Sequence, residues 1–425
     1  MNHGILKQVI FDQHEVVRNA VINPRSHVFE KNANYVLVGI RRAGKSTLFY
    51  KIVQDLISDG IDWKRIVFIN FEDERLDGFS VQDFNDILQV QSELSSEKGL
   101  FFFDEIQIVP GWEKFVRRMA DAKERVYVTG SNAKMLSGEI GTTLGGRFLT
   151  KTIWPYDFGE YLSAQKISWK NASTKELGIV RRYFDTYLKF GGFPESLSYS
   201  DMRGYVSSIY QKILLGDMVS RHQVRNPNAL RLMVKKLAES TKDQMSYAKI
   251  KSILSAIGLN ISKETIIDYV GYAEESYLLF HVRNYFATFT EKEGTPKYYF
   301  CDNGLLNLFL CDKEPLLLEN LVAITLYKQY GEGVYFLKSA RSGIDVDFFV
   351  PEEGTAIQVA YSLENVKNDR ETRNLVVLAK QKPEVSDLMI LTNSEEKTLT
   401  VDGKTITVMP VWKWLLTDKG EGGNT

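Results

Sequence analysis

At 425 residues the chain is long enough for roughly two to four domains, each with its own core. Its 53 Lys+Arg against 54 Asp+Glu leave a net charge of −1, so no global basic field points to nucleic acid or an anionic membrane. Hydrophobic content of 44% and charged content of 25% are ordinary for a globular protein, and no apolar run approaches membrane-spanning length.

The start, Met-Asn-His-Gly-Ile-Leu-Lys-Gln, lacks the apolar stretch of a signal peptide. Cys301 and Cys311 are too few for a disulfide framework, and the five histidines are scattered without metal spacing. These features predict a reduced, cytoplasmic protein with no membrane partner. Ile5, Val9, Ile10, Val16 and Val17 form a mildly amphipathic run before Pro24, which predicts a lead-in helix packed on the core of the first domain.

Tyr35-Val36-Leu37-Val38 reads as a short buried strand, and Leu48, Ile52, Val53, Leu56 and Ile57 recur at helical spacing until Gly60. Between them stands Gly39-Ile40-Arg41-Arg42-Ala43-Gly44-Lys45-Ser46-Thr47, which fits G-x-x-x-x-G-K-[ST]. Strand, glycine loop and helix are the context this motif requires. Gly39 and Gly44 let the loop wrap so that successive N–H groups, across Arg42, Ala43, Gly44, Lys45, Ser46 and Thr47, face phosphate oxygens. The helix adds its positive N-terminal end. Lys45 is expected to reach the β/γ-phosphates and Ser46 to ligate Mg²⁺, so the pattern predicts an ATP site.

Residues 65–71 form an apolar run ending in Glu72-Asp73-Glu74, which suits a buried parallel strand. Glu72 or Asp73 stands near the expected ligand edge and could position water or Mg²⁺, but a solvated charge run is the preferred account. Residues 81–94 read as a helix. Leu100-Phe101-Phe102-Phe103-Asp104-Glu105 then ends a second strand in two carboxylates, the pattern that complements a phosphate loop. Asp104 is assigned to the Mg²⁺ shell and Glu105 to the general base. After a helix over 112–125, the strand 125–132 closes in Thr129-Gly130-Ser131-Asn132. Its polar end places Thr129, Ser131 or Asn132 near the γ-phosphate or the lytic water, unless Gly-Ser-Asn is only a turn. Arg147 precedes a further strand, 148–154. It is a candidate arginine finger, within one subunit or across a boundary, with a plain surface arginine as the alternative.

Beyond Trp154-Pro155 the α/β alternation stops. Residues 156–225 look helical, interrupted by Gly191-Gly192-Phe193-Pro194. Helices over 229–240, 247–257 and 264–272, followed by strands at 278–282 and 297–300, predict a winged helix. A helix at 315–330, strands at 334–338, 344–350 and 355–360, a helix at 366–379, a strand at 387–391, a hairpin over 398–407 and a last helix near Trp412 come after it. The αβββαβ order within that run is the core of restriction-endonuclease-like folds. The closing Gly-Glu-Gly-Gly-Asn-Thr reads as a frayed tail. The expected architecture is therefore α/β. It comprises a P-loop ATPase domain (1–155), a helical linker region (156–225), a winged helix (226–310) and a restriction-endonuclease-like domain (311–420).

That last domain is expected to be inactive. Two-carboxylate nucleases of this fold need an acidic residue on one strand, then Glu-x-Lys on the next, to bind Mg²⁺ and orient water. Glu319 and Asp347 supply half of this, but the next strand offers Gln358 and Ala360 instead. Gln358 gives only a neutral oxygen, and a lysine from the following helix, such as Lys367, is the one remaining substitute.

Together with Phe101-Phe102-Phe103-Asp104-Glu105-Ile106-Gln107, Gly146-Arg147, Gly191-Gly192-Phe193-Pro194, the run Tyr299 to Leu306 and the run Ser342 to Val350, the P-loop resembles a large prokaryotic family. Its members are predicted AAA-type ATPases carrying a C-terminal domain of unknown function. The resemblance covers nearly the whole chain. It implies an additional-strand P-loop core, then a winged helix, then a nuclease-like domain, and supplies no cellular role. An ATP-driven switch acting on a protein partner or as a homo-oligomer is the leading expectation. A DNA-binding ATPase and an ATP-regulated nuclease are the alternatives. Against ordinary DNA docking, the helix expected from Ser262 carries Glu264, Asp268, Glu274 and Glu275 against Lys263, and phosphates would repel it.

Overall fold

The structure, a computed structural model, describes residues 1–132, 138–339, 341–363 and 370–417. The chain divides into two compact units: Met1–Pro155 with Glu275–Tyr277, and Tyr156–Glu274 with the residues from Leu278 onward.

In the first unit, strands β1 (Asn34–Val38), β2 (Ile66–Asn70), β3 (Leu100–Asp104), β4 (Arg125–Gly130) and β5 (Phe148–Thr152) form one sheet in the order β2-β3-β4-β1-β5. All its pairings are parallel. The four strands other than β5 are almost wholly buried, which is why they read as unbroken apolar runs; β5 lies at the edge and is partly exposed. Phe68, Phe102, Tyr127 and Tyr35 stack from strand to strand, with centroids 5.9, 4.6 and 6.0 Å apart. Phe49 of helix Lys45–Ser58 meets three of these rings edge-on, so burying this ladder fixes the helix that follows the loop. On the other face, helices His3–Asn19, Phe84–Leu94 and Trp112–Asp121 bury Leu6, Val9, Ile87, Val90, Phe115 and Val116 against the sheet core.

In the second unit, residues 156–225 form helices Phe158–Ala164, Thr174–Phe190 and Met202–Lys212, the last running into a π-helical stretch Ile213–Ser220. They fall in the same compact unit as the residues up to Glu274 and those from Leu278 onward. Helices Pro227–Glu239, Tyr247–Ala256 and Lys263–Glu275 come next. Strands β6 (Leu279–Asn284) and β7 (Lys297–Phe300) pair antiparallel, joined through a short helix Phe289–Gly294. This pair is not free-standing. Arg283 and Asn284 of β6 pair parallel with Tyr335 and Phe336 of β8 (Tyr335–Ser339), so the hairpin extends a larger sheet.

That sheet also holds β9 (Ile344–Val350), β10 (Thr355–Val359), β11 (Asp387–Thr392), β12 (Lys397–Val401) and β13 (Lys404–Pro410). Its order is β12-β13-β11-β10-β9-β8-β6-β7, antiparallel from β8 to β10 and parallel from β10 through β11 to β13. Helices Glu314–Tyr330, Arg370–Gln381 and Val411–Leu415 accompany it. The helix expected from residue 366 is described from Arg370; Lys367 and the tail expected to fray lie outside the described residues.

Two motifs that carried no chemistry in the sequence dock on each other. Asp302 accepts hydrogen bonds from the N–H groups of Gly192 (2.8 Å), Gly304 (2.8 Å) and Leu305 (3.4 Å). Asn303 donates to the Leu188 and Leu317 carbonyls, and Asn320 to Phe300 and Asn303. A Cβ on Gly192 would lie 2.1 Å from the Tyr156 carbonyl oxygen, which leaves room for glycine alone. Gly192→Ala is therefore expected to destabilise the second unit by about 3 kcal/mol, read as a lower urea midpoint at unchanged slope. An unchanged midpoint would show the contact to be slack.

Candidate nucleotide site

β1 ends at Val38 and the chain turns at once into the glycine loop. Gly39 has φ 135°, and a Cβ there would lie 2.2 Å from the Ile153 carbonyl oxygen, so no side chain fits. Arg42 (φ 62°) and Gly44 (φ 96°) give the left-handed turns from which N–H groups line a concavity. Helix Lys45–Ser58 begins on the next residue, bringing its positive end to the same place. Lys45 is buried, its ammonium 2.9 Å from the Gly39 carbonyl oxygen and 3.1 Å from that of Ile40. Ala43 is fully buried, whereas Arg42 and Thr47 are exposed. Arg25, which the sequence did not single out, donates to the carbonyls of Ala43 (2.9 Å) and Trp154 (2.8 Å) and so pins the loop from the arm before β1.

β3 lies two strands away from β1, with β4 between them, and all three end on this edge. Asp104 is 2% exposed and hydrogen-bonded to the hydroxyls of Ser46 and Thr129. Burial first, then the charge of Glu105, pushes its carboxyl above the usual carboxylate range, against the pull of both hydroxyls and Lys45. Glu105 sits in a left-handed conformation (φ 52°), rare for a non-glycine residue. Its N–H donates to Thr129 Oγ1 at 2.9 Å, and its carboxylate accepts from Gln107 Nε2 at 2.5 Å. One hydroxyl thus holds Asp104 by its carboxylate and Glu105 by its backbone. Asn132, 5% exposed, continues β4 on the same edge, and Ser131 beside it buries an Oγ without a protein partner.

Thr129→Val keeps the volume of the side chain and removes both of these hydrogen bonds. The expected result is a stability loss of about 1–3 kcal/mol from the orphaned groups. Turnover should fall roughly 100-fold through misplacement of Glu105, with ATP affinity altered by less than about 3-fold, within the worth of one ordinary hydrogen bond. Equal turnover in parent and variant would remove Thr129 from the site.

The remaining candidates separate. Glu72 pairs with Arg41 at 3.1 Å and is exposed, in keeping with a solvated charge. For Arg147 the register opposes the version in which it acts within one subunit. Arg147 precedes Phe148, which pairs with Asn34 at the opposite end of β1 from the loop, so about 20 Å along the strand direction separates it from Gly39. There its Nε lies 2.5 Å from Asp121 and its Nη1 donates to the Gly145 carbonyl. Contact with the γ-phosphate of its own chain is ruled out by the strand register.

In the second unit, Glu319 and Asp347 do approach one cation, but it is Lys297 of β7. Gln358 is spent locally: its Oε1 accepts from the Asp347 N–H (3.2 Å) and its Nε2 donates to Glu371. Among the described residues no group of three or more His, Cys, Asp and Glu side chains is gathered as a metal site. No described helix is long and apolar enough to cross a membrane.

An AAA domain family matches residues 31–162, and a domain of unknown function matches residues 181–315. An uncharacterised protein of Methanocaldococcus jannaschii is 32% identical over 434 residues, spanning 97% of this chain and 95% of its own length. This chain belongs to that protein's family, and residues 31–162 of this chain are an AAA domain. Another uncharacterised protein, from Haemophilus influenzae, is 30% identical over 390 residues, spanning 90% of this chain and 94% of its own. Among solved structures, a Walker-type ATPase of Pyrococcus abyssi covers 72% of this AAA-type chain and 95% of its own at 15% identity and a TM-score of 0.42. The Orc1 protein of Aeropyrum pernix, solved in complex with DNA, covers 73% of this chain and 92% of its own at 12% identity and a TM-score of 0.30. Likeness at that level assigns no function here.

Proposed function

We propose that this AAA-type ATPase is an ATP-hydrolysing switch that acts through its second unit on a protein partner, as a homo-oligomer whose subunits complete each other's sites. The observation that carries the reading is the chain of contacts Ser46–Asp104–Thr129–Glu105 at the mouth of the glycine loop. The residues suit Mg²⁺-ATP: Gly39 leaves a cradle that any Cβ would fill, and hydroxyl and carboxylate stand together. Ser46 and Asp104 would hold the ion, which when bound neutralises charge on the phosphates. Lys45 steadies the β/γ-phosphates, Glu105 takes the proton of the attacking water, and Asn132 orients that water. Phosphate release should require Mg²⁺ and stop in EDTA. Turnover that persisted in EDTA would refute the metal assignment, and none with Mg²⁺ in a confirmed oligomer would refute hydrolysis.

We read residues 226–310 as a winged helix used for protein contact, and residues 311–420 as a restriction-endonuclease-like fold without cleavage. Basic residues cluster at Arg221, His222, Arg225, Arg231, Lys235 and Lys236, and of these Arg221 is paired with Asp217 (3.2 Å) and Lys236 with Glu239 (3.6 Å). Salt-sensitive retention on mixed-sequence DNA would favour the nucleic-acid alternative. Single- or double-stranded DNA incubated with the protein, ATP and Mg²⁺ or Mn²⁺ is expected to stay intact. Cutting that vanishes in Asp347→Ala protein would make the second unit a nuclease.

A further inference from the structure

Glu319 lies on helix Glu314–Tyr330 and Asp347 on β9, and both point at one spot over the sheet. Glu319 is 4% exposed and the Asp347 side chain 17%. Two carboxylates so placed repel each other with little water to screen them; burial and then the charge of Asp347 push the Glu319 carboxyl up to about 7, and a nearby cation relieves the same repulsion. The spot is occupied by an ammonium. Lys297, the first residue of β7, is 4% exposed, and its Nζ stands 3.7 Å from Glu319 Oε1 and 3.7 Å from Asp347 Oδ1. It also lies over the Phe336 ring, 5.2 Å from the centroid. Tyr299 OH donates to the same Glu319 Oε1 at 2.9 Å, and the Val359 N–H donates to the other Asp347 oxygen, Oδ2, at 2.9 Å. Burial alone would lower the Lys297 pKa, but Glu319, Asp347, Asp345 and Asp243 together carry it above its ordinary value, so the side chain stays charged.

We propose that Lys297 is the resident cation of this carboxylate pair, standing where a divalent ion would otherwise stand, so that the second unit is built to work without metal. Its corollary is a latent site: with the ammonium removed, Glu319 and Asp347 become ligands for a hard divalent cation, which takes carboxylate oxygens readily. The inference rests on the buried triad and not on ATP hydrolysis by the first unit. It goes beyond the reading of residues 311–420 as silent by naming what silences them: the place of the Lewis acid is filled by a group that can neither bind phosphate oxygens through open coordination positions nor lower the pKa of water as a bound metal does.

The test uses the full chain free of nucleotide, titrated with Mn²⁺ and followed by the EPR signal of the free ion. Lys297→Ala protein should bind one Mn²⁺ per chain more than the parent, and the extra ion should disappear in Lys297→Ala/Asp347→Asn protein. Mn²⁺ should also raise the unfolding temperature of Lys297→Ala protein more than that of the parent. Parent protein holding a Mn²⁺ that Asp347→Asn removes would overturn the proposal, as would folded Lys297→Ala protein that gains no ion. Should Lys297→Ala fail to fold, Lys297→Met and Lys297→Met/Glu319→Gln decide the matter. Recovery of folded protein in the double variant supports the counter-ion role, because the uncompensated charge leaves with the lysine. No recovery over Lys297→Met alone overturns it.

Discussion

Lys45→Ala is expected to weaken ATP binding on the order of 100-fold, whereas Glu105→Gln should keep ATP and lose turnover by roughly 10²–10⁴. The contrast follows from where each side chain stands. Lys45 is buried under the loop with its ammonium on the Gly39 and Ile40 carbonyls, a single point charge inside a cradle of backbone dipoles. Alanine leaves the cradle's shape and removes the only lysine in it. Glu105 stands outside the loop, at the end of β3, held by Thr129 through its backbone and by Gln107 through its carboxylate. An amide at this position keeps the size and can still accept a hydrogen bond, but it cannot take a proton from water. Equilibrium binding of a fluorescent ATP analogue, beside single-turnover phosphate release, separates the two effects. Parent-like binding in Lys45→Ala, or parent-like turnover in Glu105→Gln, would overturn the corresponding role.

The features legible in the sequence are the local ones. The glycine loop, its strand and its helix are contiguous, so Gly39 to Thr47 stand out, and the polar end of β4 is visible in Thr129 to Asn132. Three helices and two strands over residues 227–300 are legible for the same reason. Their continuation is not, because β6 is completed by Tyr335 and Phe336, about fifty residues further on, and no local pattern carries such a pairing. The docking of Asp302 on Gly192 spans an even wider gap. Lys297 is the sharpest case. Chain proximity points to β10 and the helix after it as the source of the missing lysine. The lysine that does approach Glu319 and Asp347 comes instead from β7, whose own neighbourhood, Lys-Tyr-Tyr-Phe, signals nothing beyond a strand. Gln107 has one usable signal, an amide two residues beyond a carboxylate at a strand end, in a position that a single 3-10 turn folds back onto Glu105.

Arg147→Ala protein should hydrolyse ATP about 10³-fold more slowly than the parent, and mixing it with Glu105→Gln protein should restore part of the rate. The strand register makes this a statement about two chains. Asn34 pairs with Phe148 and Val38 with Thr152, so Arg147 and the glycine loop lie at opposite ends of adjacent parallel strands. An arginine at that far end can meet a γ-phosphate only if a second copy presents its loop there. Arg147 is equipped for presentation: its side chain is one-third exposed, anchored by Nε to Asp121 at the end of helix Trp112–Asp121 and by Nη1 to the Gly145 carbonyl. Such anchoring restricts the rotamers of a long side chain before a partner arrives, which lowers the entropy lost on engagement. In a mixed oligomer, a subunit with intact Glu105 and mutant Arg147 can be completed by the arginine of its Glu105→Gln neighbour. Those interfaces alone regain both groups, so the recovered rate should rise and fall with the mixing ratio and peak near equal amounts. A confirmed mixed oligomer that stays silent would remove the trans role, and a full-rate Arg147→Ala protein would leave Arg147 as the partner of Asp121 and nothing more.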